Sequence, residues 1–374
     1  MKIAIIHEWL IDYSGSEKVL EQLILAFPQA DLFVTVDYLP DSERHFLHGK
    51  VPKTSLIQKL PFSRTRFRDY LPLMPLAVEQ HDLQSYDVVI SSNHAFAKGV
   101  LTGPDQVHIC YCHSPIRYGW DFQHQYLRES GLHRGVKTWL VKWILHKIRI
   151  WDYRTGSGVD QFLANSNFIR RRIQKVYGRA SRVVFPGVSV DQFTVESRKD
   201  NFYLAASRLV PYKRFDLIVS AFKAMPNQKL KIIGNGSEMK KLQAIADDAP
   251  NIEFLGYQPT EALKKHMQQA RAFVFAAEED FGIIPVEAQA CGTPVIAYGR
   301  GGARDTVLDG KTGILFTEQT DQGIIDAVNR YEQAGVEFTA EQISQFAQRF
   351  SNERFRSEII EAVEQAWMQK VLDK

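Results

Sequence analysis

A chain of 374 residues, 45% of them hydrophobic, is too long for one ordinary domain and can bury two substantial cores. Its three cysteines are too few for a disulfide framework, which argues against a secreted scaffold and indicates a reducing compartment. A formal net charge of only +3, without a recognition motif, argues against binding to nucleic acid.

The first half of the chain alternates apolar strands with helical stretches. It opens with a strand at residues 2–6 instead of a basic leader with a long apolar core, so we expect a cytoplasmic protein without a signal peptide. No apolar run reaches the roughly 18 residues that a membrane span needs. A helix is predicted from residue 17 to about 27, and further strands at residues 32–36, 88–91, 108–111 and 161–164.

The second half repeats this alternation more clearly. Strands and helices follow one another with short loops of glycine, proline and asparagine, which is typical of parallel sheets covered on both faces. The sequence therefore predicts an α/β fold. The predicted strands are residues 202–206, 229–233, 252–254, 272–277, 294–297 and 313–316, and the predicted helices are 215–224, 238–247, 260–269, 285–290 and 320–333.

Residues 186–191 form a turn-rich stretch between the two series and mark the expected boundary. We predict a Rossmann-like, doubly wound domain of residues 1–185, completed by a C-terminal helix at about 352–374, and a second one of residues 186–351. Two such domains facing each other bind ligand in the cleft between them, at the carboxyl ends of the strands.

Two glutamates, Glu279 and Glu287, stand eight positions apart at the junction of a strand and a helix. Eight residues is just over two helical turns, so both carboxylates can point toward one cleft. Between them the chain opens a helix, whose unpaired N–H groups attract anions. A ligand with both hydroxyls and phosphates, such as a nucleotide sugar, suits this arrangement. On spacing alone, the pair could equally be a general acid and a general base.

Basic residues follow the first strand of the second domain. Arg208 and Lys213 can clamp a diphosphate and stabilise charge on a leaving nucleotide, although a solvated basic loop is the simpler alternative. Gly15 and Ser16 lie between the first strand and the first helix, and Gly234 follows another strand. Loops of this kind let backbone N–H groups approach phosphate, but each could also be a plain turn.

The run from Cys112 to Asp121 packs several polar and aromatic residues at the end of a strand. Aromatic faces and paired polar groups suit a sugar ring, so we predict a site here. A metal at Cys110, Cys112 and His113 is disfavoured because no second cluster of ligands follows. The candidate site residues in the run are His113, Arg117, Trp120 and Asp121.

At these residues the chain resembles glycosyltransferase family 4, whose members are retaining enzymes of the GT-B fold. In the second domain the resemblance rests on Arg208-x4-Lys213, Glu279-x-Phe281-Gly282 with Glu287, the run at 291–295 and Gly301-Gly302, which occur in the family's order. In the first domain, residues 17–21, 91–100 and 112–121 resemble bacterial mannosyltransferases of O-antigen and exopolysaccharide assembly. Ser14-Gly15 stands where the family often has two adjacent glycines.

The resemblance implies a role for each matching residue. Glu279 would bind hydroxyls of the donor sugar and Glu287 the nucleotide ribose, while Arg208 and Lys213 would hold the diphosphate. His113 would sit near the anomeric carbon or the C6 hydroxyl of the sugar. Backbone amides would contact the sugar or the phosphates at the helix start, and the loop of Gly15 would face the diphosphate from the opposite domain. The residues at that helix start are Phe281, Gly282, Ile283 and Ile284.

The reaction implied by the resemblance moves a hexose, most simply mannose from GDP-mannose, with retention of configuration. Without an obvious enzymic nucleophile, we expect front-face attack, in which the departing phosphate accepts the acceptor's proton. We expect no metal cofactor, since no Asp-x-Asp motif lies at a predicted strand end.

Basic residues concentrate in the first domain. Residues 1–185 hold 24 Lys and Arg against 17 Asp and Glu, a balance of +7, and the remaining residues hold 22 against 26, a balance of −4. Two stretches, 50–68 and Arg134 to Arg154, interleave basic with aromatic and aliphatic residues. Such a surface suits an anionic membrane and a lipid-linked glycan acceptor, so we expect peripheral contact with the inner face of the cytoplasmic membrane. The alternative is that the tryptophans pack into the core.

Three other functions stay open from the sequence. The donor could be a UDP-sugar. The protein could instead be a nucleotide-sugar epimerase, which would need acid and base groups around the sugar ring. It could also be a non-catalytic subunit that binds a nucleotide sugar. The basic first half favours a second, membrane-borne substrate, and the complete set of charged site residues favours catalysis.

Overall fold

The computed structural model describes residues 1–131, 135–196 and 198–373. The chain divides into two compact units, one of Met1–Gly187 with Phe355–Lys374 and the other of Val188–Arg354. Within the described residues every paired strand is parallel to its neighbours. Two parallel-sheet α/β domains are what the alternating pattern predicts, and the fold class is confirmed.

Seven strands of the described chain form the sheet of the first unit, in the order β3-β2-β1-β4-β5-β6-β7. The strands at its centre are mostly apolar and almost entirely buried, because helices cover both faces. The strands are β1 (Ile3–Leu10), β2 (Asp31–Asp37), β3 (Lys53–Thr54), β4 (Val88–Asn93), β5 (Val107–Cys112), β6 (Gln161–Ala164) and β7 (Ser181–Val183).

Helices pack on the two faces of this sheet in separate cores. One core joins the first helix and the C-terminal helix, whose Phe355 and Ile359 are buried against the strands. The opposite face carries the remaining helices over two further clusters. The helices before the second unit are α1 (Gly15–Ala26), α2 (Ser63–Arg66), α3 (Met74–Glu79), α4 (Gln123–Glu129), α5 (Val136–Thr155) and α6 (Asn167–Tyr177).

The second unit holds a sheet of six described strands in the order β10-β9-β8-β11-β12-β13. The strands are β8 (Tyr203–Ala206), β9 (Leu230–Ile233), β10 (Ile252–Gly256), β11 (Ala272–Phe275), β12 (Val295–Tyr298) and β13 (Gly313–Phe316). The helices are α7 (Phe215–Lys223), α8 (Met239–Ala246), α9 (Thr260–Gln269), α10 (Ile283–Ala290), α11 (Ala303–Thr306), α12 (Asp321–Ala334) and α13 (Ala340–Ala347). The chain then returns to the first unit through α14 (Asn352–Leu372).

The order of strands reverses direction between β8 and β11 in the second sheet and between β1 and β4 in the first. At such a switch point the loops after adjacent strands diverge, and their carboxyl ends leave a crevice in which doubly wound sheets bind ligands. Of the predicted site residues, Lys213 and Glu279 follow switch-point strands of the second sheet, whereas His113 follows β5 and Gly234 follows β9. Within the described part of the chain, no helix is both long and apolar enough to cross a bilayer.

Candidate active site

Two predicted site residues of opposite charge meet in the second unit. Lys213 ends the short 3-10 turn Pro211–Lys213 that follows β8, and Glu279 lies in the loop after β11. The ammonium of Lys213 donates a hydrogen bond to Oε1 of Glu279, and the two side chains are only 12% and 17% exposed. Because β8 and β11 are neighbours, their carboxyl ends bring both groups to one edge of the sheet.

The other two charged candidates of this unit are more accessible. Arg208 lies two residues beyond β8 with an exposed side chain, and Glu287 is half-buried on α10. An exposed guanidinium beside a paired ammonium gives the loop after β8 two cationic groups, which is the chemistry that a diphosphate requires. The structure thus separates the two glutamates, one in the loop after β11 and paired with Lys213, the other inside the following helix.

Close backbone packing holds the Glu279 loop in place. A Cβ atom on Gly301 would lie 2.2 Å from the carbonyl oxygen of Glu279, and one on Gly302 would lie 2.3 Å from Cα of Phe281. The N–H of Gly302 also donates to the carbonyl of Glu279 over 2.8 Å. Because residues 301 and 302, in the loop after β12, are both glycines, this loop packs directly against the loop after β11. The contact fixes the position of the backbone that carries the carboxylate of Glu279.

The start of α10 offers backbone groups to a ligand, not side chains. The ring of Phe281 is buried against Phe350, 5.5 Å between ring centroids. Gly282 precedes the helix in a left-handed conformation with φ of 87°, and Ile283 is the first helical residue. Ile284 is half-buried against the apolar cluster beneath. The first-turn amides are the groups that the predicted contact to sugar or phosphate would use.

Gly234 has partners within the protein. Its φ of 137° and the 1.9 Å that would separate an added Cβ from the carbonyl oxygen of Ser207 both require glycine. Its N–H donates to the carbonyl of Gly256 over 2.8 Å. Tight packing between the loops after β8 and β9 therefore explains this glycine without a ligand, and the N–H predicted to approach phosphate is already used.

His113 follows β5 directly in the first unit. Its N–H donates to the carbonyl of Asn93, its carbonyl accepts from the side chain of Asn165, and its Nε2 lies 2.9 Å from Oγ of Ser92. Burial, with smaller contributions from the nearby rings of His94 and His7, lowers the pKa of the imidazole to about 3. His113 is therefore neutral near pH 7, at the carboxyl end of a central strand.

The residues after His113 have protein partners that the sequence did not reveal. The indole N–H of Trp120 donates to the buried carboxylate of Asp152 over 2.7 Å, and Asp121 accepts from the guanidinium of Arg172. The guanidinium of Arg117 lies 5.6 Å from the ring centre of Phe122. These contacts explain Trp120 and Asp121 as anchors of the loop after β5 to helices α5 and α6, so their presence alone does not require a sugar.

Gly15 and Ser16 open α1, which begins two residues before the predicted start at residue 17, and this helix start is organised around Glu17. The hydroxyls of Ser14 and Ser16 both donate to Oε2 of Glu17, over 2.8 and 3.0 Å. Burial alone would raise the pKa of Glu17, but the hydrogen bond and charge of His7, together with the bond from Ser14, lower it to about 2. Since the Ser16 hydroxyl already donates to Glu17, a ligand at Gly15 and Ser16 would bind to their backbone groups.

Sequence reasoning missed two buried polar residues at the same edge, His7 and Glu8. The first strand was predicted to end at residue 6, whereas β1 continues to Leu10. Both side chains are at most 1% exposed, and Glu8 accepts hydrogen bonds from the backbone N–H groups of residues 94–97. The available signal was a pair of ionisable residues inside an otherwise apolar strand, which folded proteins retain only with partners.

Among the described residues, no group of three or more His, Cys, Asp or Glu side chains is arranged to hold a metal ion. The three cysteines are free and buried. Burial raises the pKa of Cys291 to about 12, which leaves its thiol protonated.

Two family descriptions match the chain and together span most of it. Residues 13–192 match Glycosyltransferase Family 4, and residues 190–350 match Glycosyl transferases group 1. Among curated relatives, a GDP-mannose-dependent alpha-(1-6)-phosphatidylinositol monomannoside mannosyltransferase of Mycolicibacterium smegmatis is 32% identical over 204 residues. That alignment covers 47% of this chain and 53% of the relative, so the chain spans about half the length of the curated relatives it matches.

Solved structures of similar fold cover nearly the whole chain. Anabaena HepE, in complex with UDP and glucose, superposes with a TM-score of 0.70 at 18% identity, over 97% of this chain and 99% of that one. A lipopolysaccharide outer core galactosyltransferase superposes with a TM-score of 0.69 at 19% identity, over 98% and 99%. At this level of identity the likeness concerns the fold.

Proposed function

Because this chain belongs to glycosyltransferase family 4, we propose that it is a retaining glycosyltransferase that moves mannose from GDP-mannose onto a lipid-linked oligosaccharide acceptor. The product would be a bacterial surface polysaccharide such as O-antigen. One observation carries the catalytic part of the proposal: an ammonium and a carboxylate, Lys213 and Glu279, meet at the carboxyl edge of the second sheet. That pairing suits a ligand with phosphates on one side and hydroxyls on the other.

The paired lysine can still serve a diphosphate. An ammonium has three N–H donors, so the bond of Lys213 to Glu279 does not by itself prevent a hydrogen bond from Lys213 to a phosphate oxygen. Arg208 adds a planar guanidinium that binds two oxygens at once. Glu279, held by Lys213 and by the Gly301-Gly302 loop, then accepts hydrogen bonds from sugar hydroxyls. Glu287 lies further along α10, where we assign it to the nucleotide ribose.

In the proposed reaction, the bond between the anomeric carbon and the phosphate oxygen breaks as the acceptor hydroxyl attacks from the same face. The acceptor oxygen bonds to the anomeric carbon, and its proton passes to the departing phosphate. Charge therefore builds on the diphosphate, where Arg208 and Lys213 stabilise it. We propose that no metal ion takes part, because Arg208 and Lys213 would already neutralise the diphosphate.

Mannose and guanine nucleotide are proposed from the Mycolicibacterium smegmatis relative, whose name specifies GDP-mannose. Incubation of the protein with radiolabelled GDP-mannose and a lipid-linked oligosaccharide tests this directly. We expect label in the lipid fraction, unchanged by EDTA. Label that stays in an isomerised nucleotide sugar would indicate an epimerase, absence of any turnover would indicate a binding subunit, and transfer only from a UDP-sugar would replace the donor.

We also propose peripheral contact with an anionic membrane through the first unit. On α5, Trp139, Trp143 and Ile150 are 79%, 56% and 53% exposed, and their spacing of four and seven residues places them on one side of the helix. Trp151 instead packs inward and donates to Glu79. In the described part of this stretch, Trp139 and Trp143 therefore face solvent, whereas Trp151 packs against the core. Arg134, the predicted start of this stretch, lies outside the described residues.

Basic residues lie on the neighbouring helix. Arg170, Arg171 and Lys175 of α6 are exposed around a surface cavity of about 540 Å³. The hydroxyl of Tyr177 on α6 donates to Asp152 on α5, so the two helices are adjacent. Exposed tryptophans and exposed cations on adjacent helices are a combination that binds interfacial and anionic lipid. We place this surface on the inner face of the cytoplasmic membrane, where the lipid-linked acceptor would lie.

Flotation with vesicles of anionic lipid tests the membrane proposal. We expect the protein to float with the vesicles at low salt and to be released by high salt. A Trp139→Ala/Trp143→Ala variant should lose flotation, whereas Tyr257→Ala, which removes an aromatic side chain 73% exposed in the other unit, should not. A wild-type protein that does not float, or whose flotation is independent of salt, contradicts the proposal.

A further inference from the structure

Four polar side chains form one hydrogen-bonded chain in the first unit. His113 Nε2 lies 2.9 Å from Oγ of Ser92, the same oxygen lies 3.1 Å from Nδ1 of His7, and His7 Nε2 lies 3.3 Å from Oε1 of Glu17. Glu17, His7 and Ser92 are 2%, 1% and 0% exposed. The chain therefore connects the predicted catalytic histidine to a carboxylate beneath the surface, across β5, β4, β1 and α1.

The carboxylate of Glu17 determines which atom donates in each hydrogen bond of this chain of side chains. An ionised glutamate accepts hydrogen bonds and donates none, so the Nε2 of His7 must carry a proton and donate it to Glu17. In a neutral His7 the Nδ1 then accepts, and the Ser92 hydroxyl donates to it. The Ser92 oxygen is left to accept from His113, whose proton must be on Nε2. The Nδ1 of His113 then carries a lone pair.

We propose that Glu17, His7 and Ser92 are positioning residues that hold His113 in its Nε2-protonated tautomer, so that its Nδ1 accepts a hydrogen bond from a hydroxyl of the donor sugar. The role of Nδ1 rests on the proposed function, whereas the tautomer follows from the four hydrogen-bonded side chains alone. Ligand-binding histidines are commonly fixed in this way by a partner on the far ring nitrogen.

Because His113 is neutral, its tautomer decides which ring nitrogen donates a hydrogen bond and which accepts one. Burial lowers its pKa to about 3, so the ring is neutral at physiological pH and each nitrogen is either a donor or an acceptor. A neutral ring with the opposite tautomer would present an N–H to the same hydroxyl. Without the chain, both tautomers would be populated, and only one of them would match the ligand.

Nuclear magnetic resonance of the protein labelled with ¹⁵N-histidine tests the chain without substrate. The two ring nitrogens have different shifts with and without a proton, and the signals of His113 are identified by their loss in His113→Gln. We expect the proton of His113 on Nε2 at neutral pH. A proton on Nδ1 at neutral pH, or a mixture of the two tautomers, overturns the proposal.

A matched pair of serine variants isolates the link. Ser92→Ala should leave His113 as a mixture of both neutral tautomers at neutral pH, because its Nε2 loses the acceptor that selects one of them. Ser91→Ala removes an equally buried serine, whose Oγ lies 2.9 Å from Nε2 of His108, and should leave His113 unchanged. If both variants behave alike, the Ser92 hydroxyl is not the link and the proposal is wrong.

Kinetics separate positioning from general structural damage. Ser92→Ala should lower kcat about five- to tenfold, the scale of one hydrogen bond, but should have no further effect in a His113→Ala background. Equal losses in both backgrounds would mean that Ser92 acts elsewhere, which contradicts the positioning role. Since the tautomer is measured on the free protein, failure of GDP-mannose transfer would refute the proposed function separately.

Discussion

The buried ion pair between Lys98 and Asp152 is the most sharply testable structural element of the first unit. Both side chains are fully buried, with Nζ 2.5 Å from Oδ1 of Asp152 and 2.7 Å from the hydroxyl of Thr155. Trp120 and Tyr177 donate to the same carboxylate. Asp152→Asn removes the only countercharge that this network gives to Lys98 and keeps the size of the side chain. Leaving a buried charge unpaired costs about 3–5 kcal/mol.

Urea unfolding followed by tryptophan fluorescence measures this loss in the right unit. All six tryptophans lie in the first unit, so their emission reports its unfolding alone (Trp9, Trp120, Trp139, Trp143, Trp151 and Trp367). We expect Asp152→Asn to lower the free energy of unfolding by about 3–5 kcal/mol. For a unit of this size, that corresponds to a fall of roughly 6–20 °C in Tm.

The control breaks an exposed ion pair in the same unit. Arg182 and Glu361 are 37% and 51% exposed and 2.8 Å apart, so Glu361→Gln should leave the unfolding midpoint nearly unchanged. A loss below about 1 kcal/mol in Asp152→Asn would refute the reasoning, because so small a loss is typical of an ion pair that is exposed to water.

Further predictions concern the site and its response to acid. Glu279→Gln should mainly lower turnover and Glu287→Gln should mainly weaken donor binding, and equal losses of turnover with unchanged affinity would restore an acid–base pair. Burial lowers the pKa of His81 and His108 to about 4, so the unfolded chain binds more protons between pH 6.5 and 4. Each should therefore cost up to about 3 kcal/mol of stability as pH falls through that window, and His81→Asn should flatten the urea-midpoint profile. Gly302→Ala should weaken donor binding through the Glu279 loop, measured by calorimetry, with Gly158→Ala as a control, since an added Cβ at Gly158 meets no atom within 4 Å.

Buried parallel strands were the part of the fold that sequence reasoning located best, since each reads as a short apolar run between loops. The first strand was cut short at residue 6 because His7 and Glu8 interrupt the apolar run, although β1 continues to Leu10. Their burial depends on partners 10 to 89 residues away, which no local pattern contains. Helix α5 was noted only as a basic, aromatic stretch, because its exposed tryptophans mask the usual amphipathic pattern.

In the candidate site, too, some residues could be placed from the sequence and the partners of others could not. Lys213 and Glu279 could be assigned to one edge because both follow strands of a doubly wound sheet, and the structure brings them into contact. The partners of Trp120 and Asp121 lie 32 and 51 residues further along the chain, so residue type alone suggested a sugar where the structure has an ion-pair network. Motif order identifies the family, whereas long-range contacts decide which motif residues remain available to a ligand.

A thermal-shift panel of GDP, UDP and ADP with their sugars tests the central claim most directly. A ligand that binds only the folded protein raises its stability by mass action, about 2.7 kcal/mol at a hundredfold excess over Kd. We predict the largest rise in Tm with GDP-mannose and a much smaller rise in Lys213→Ala. A larger rise with a UDP-sugar, or the same rise in Lys213→Ala as in the wild type, would contradict a GDP-mannose site built on Lys213 and Glu279.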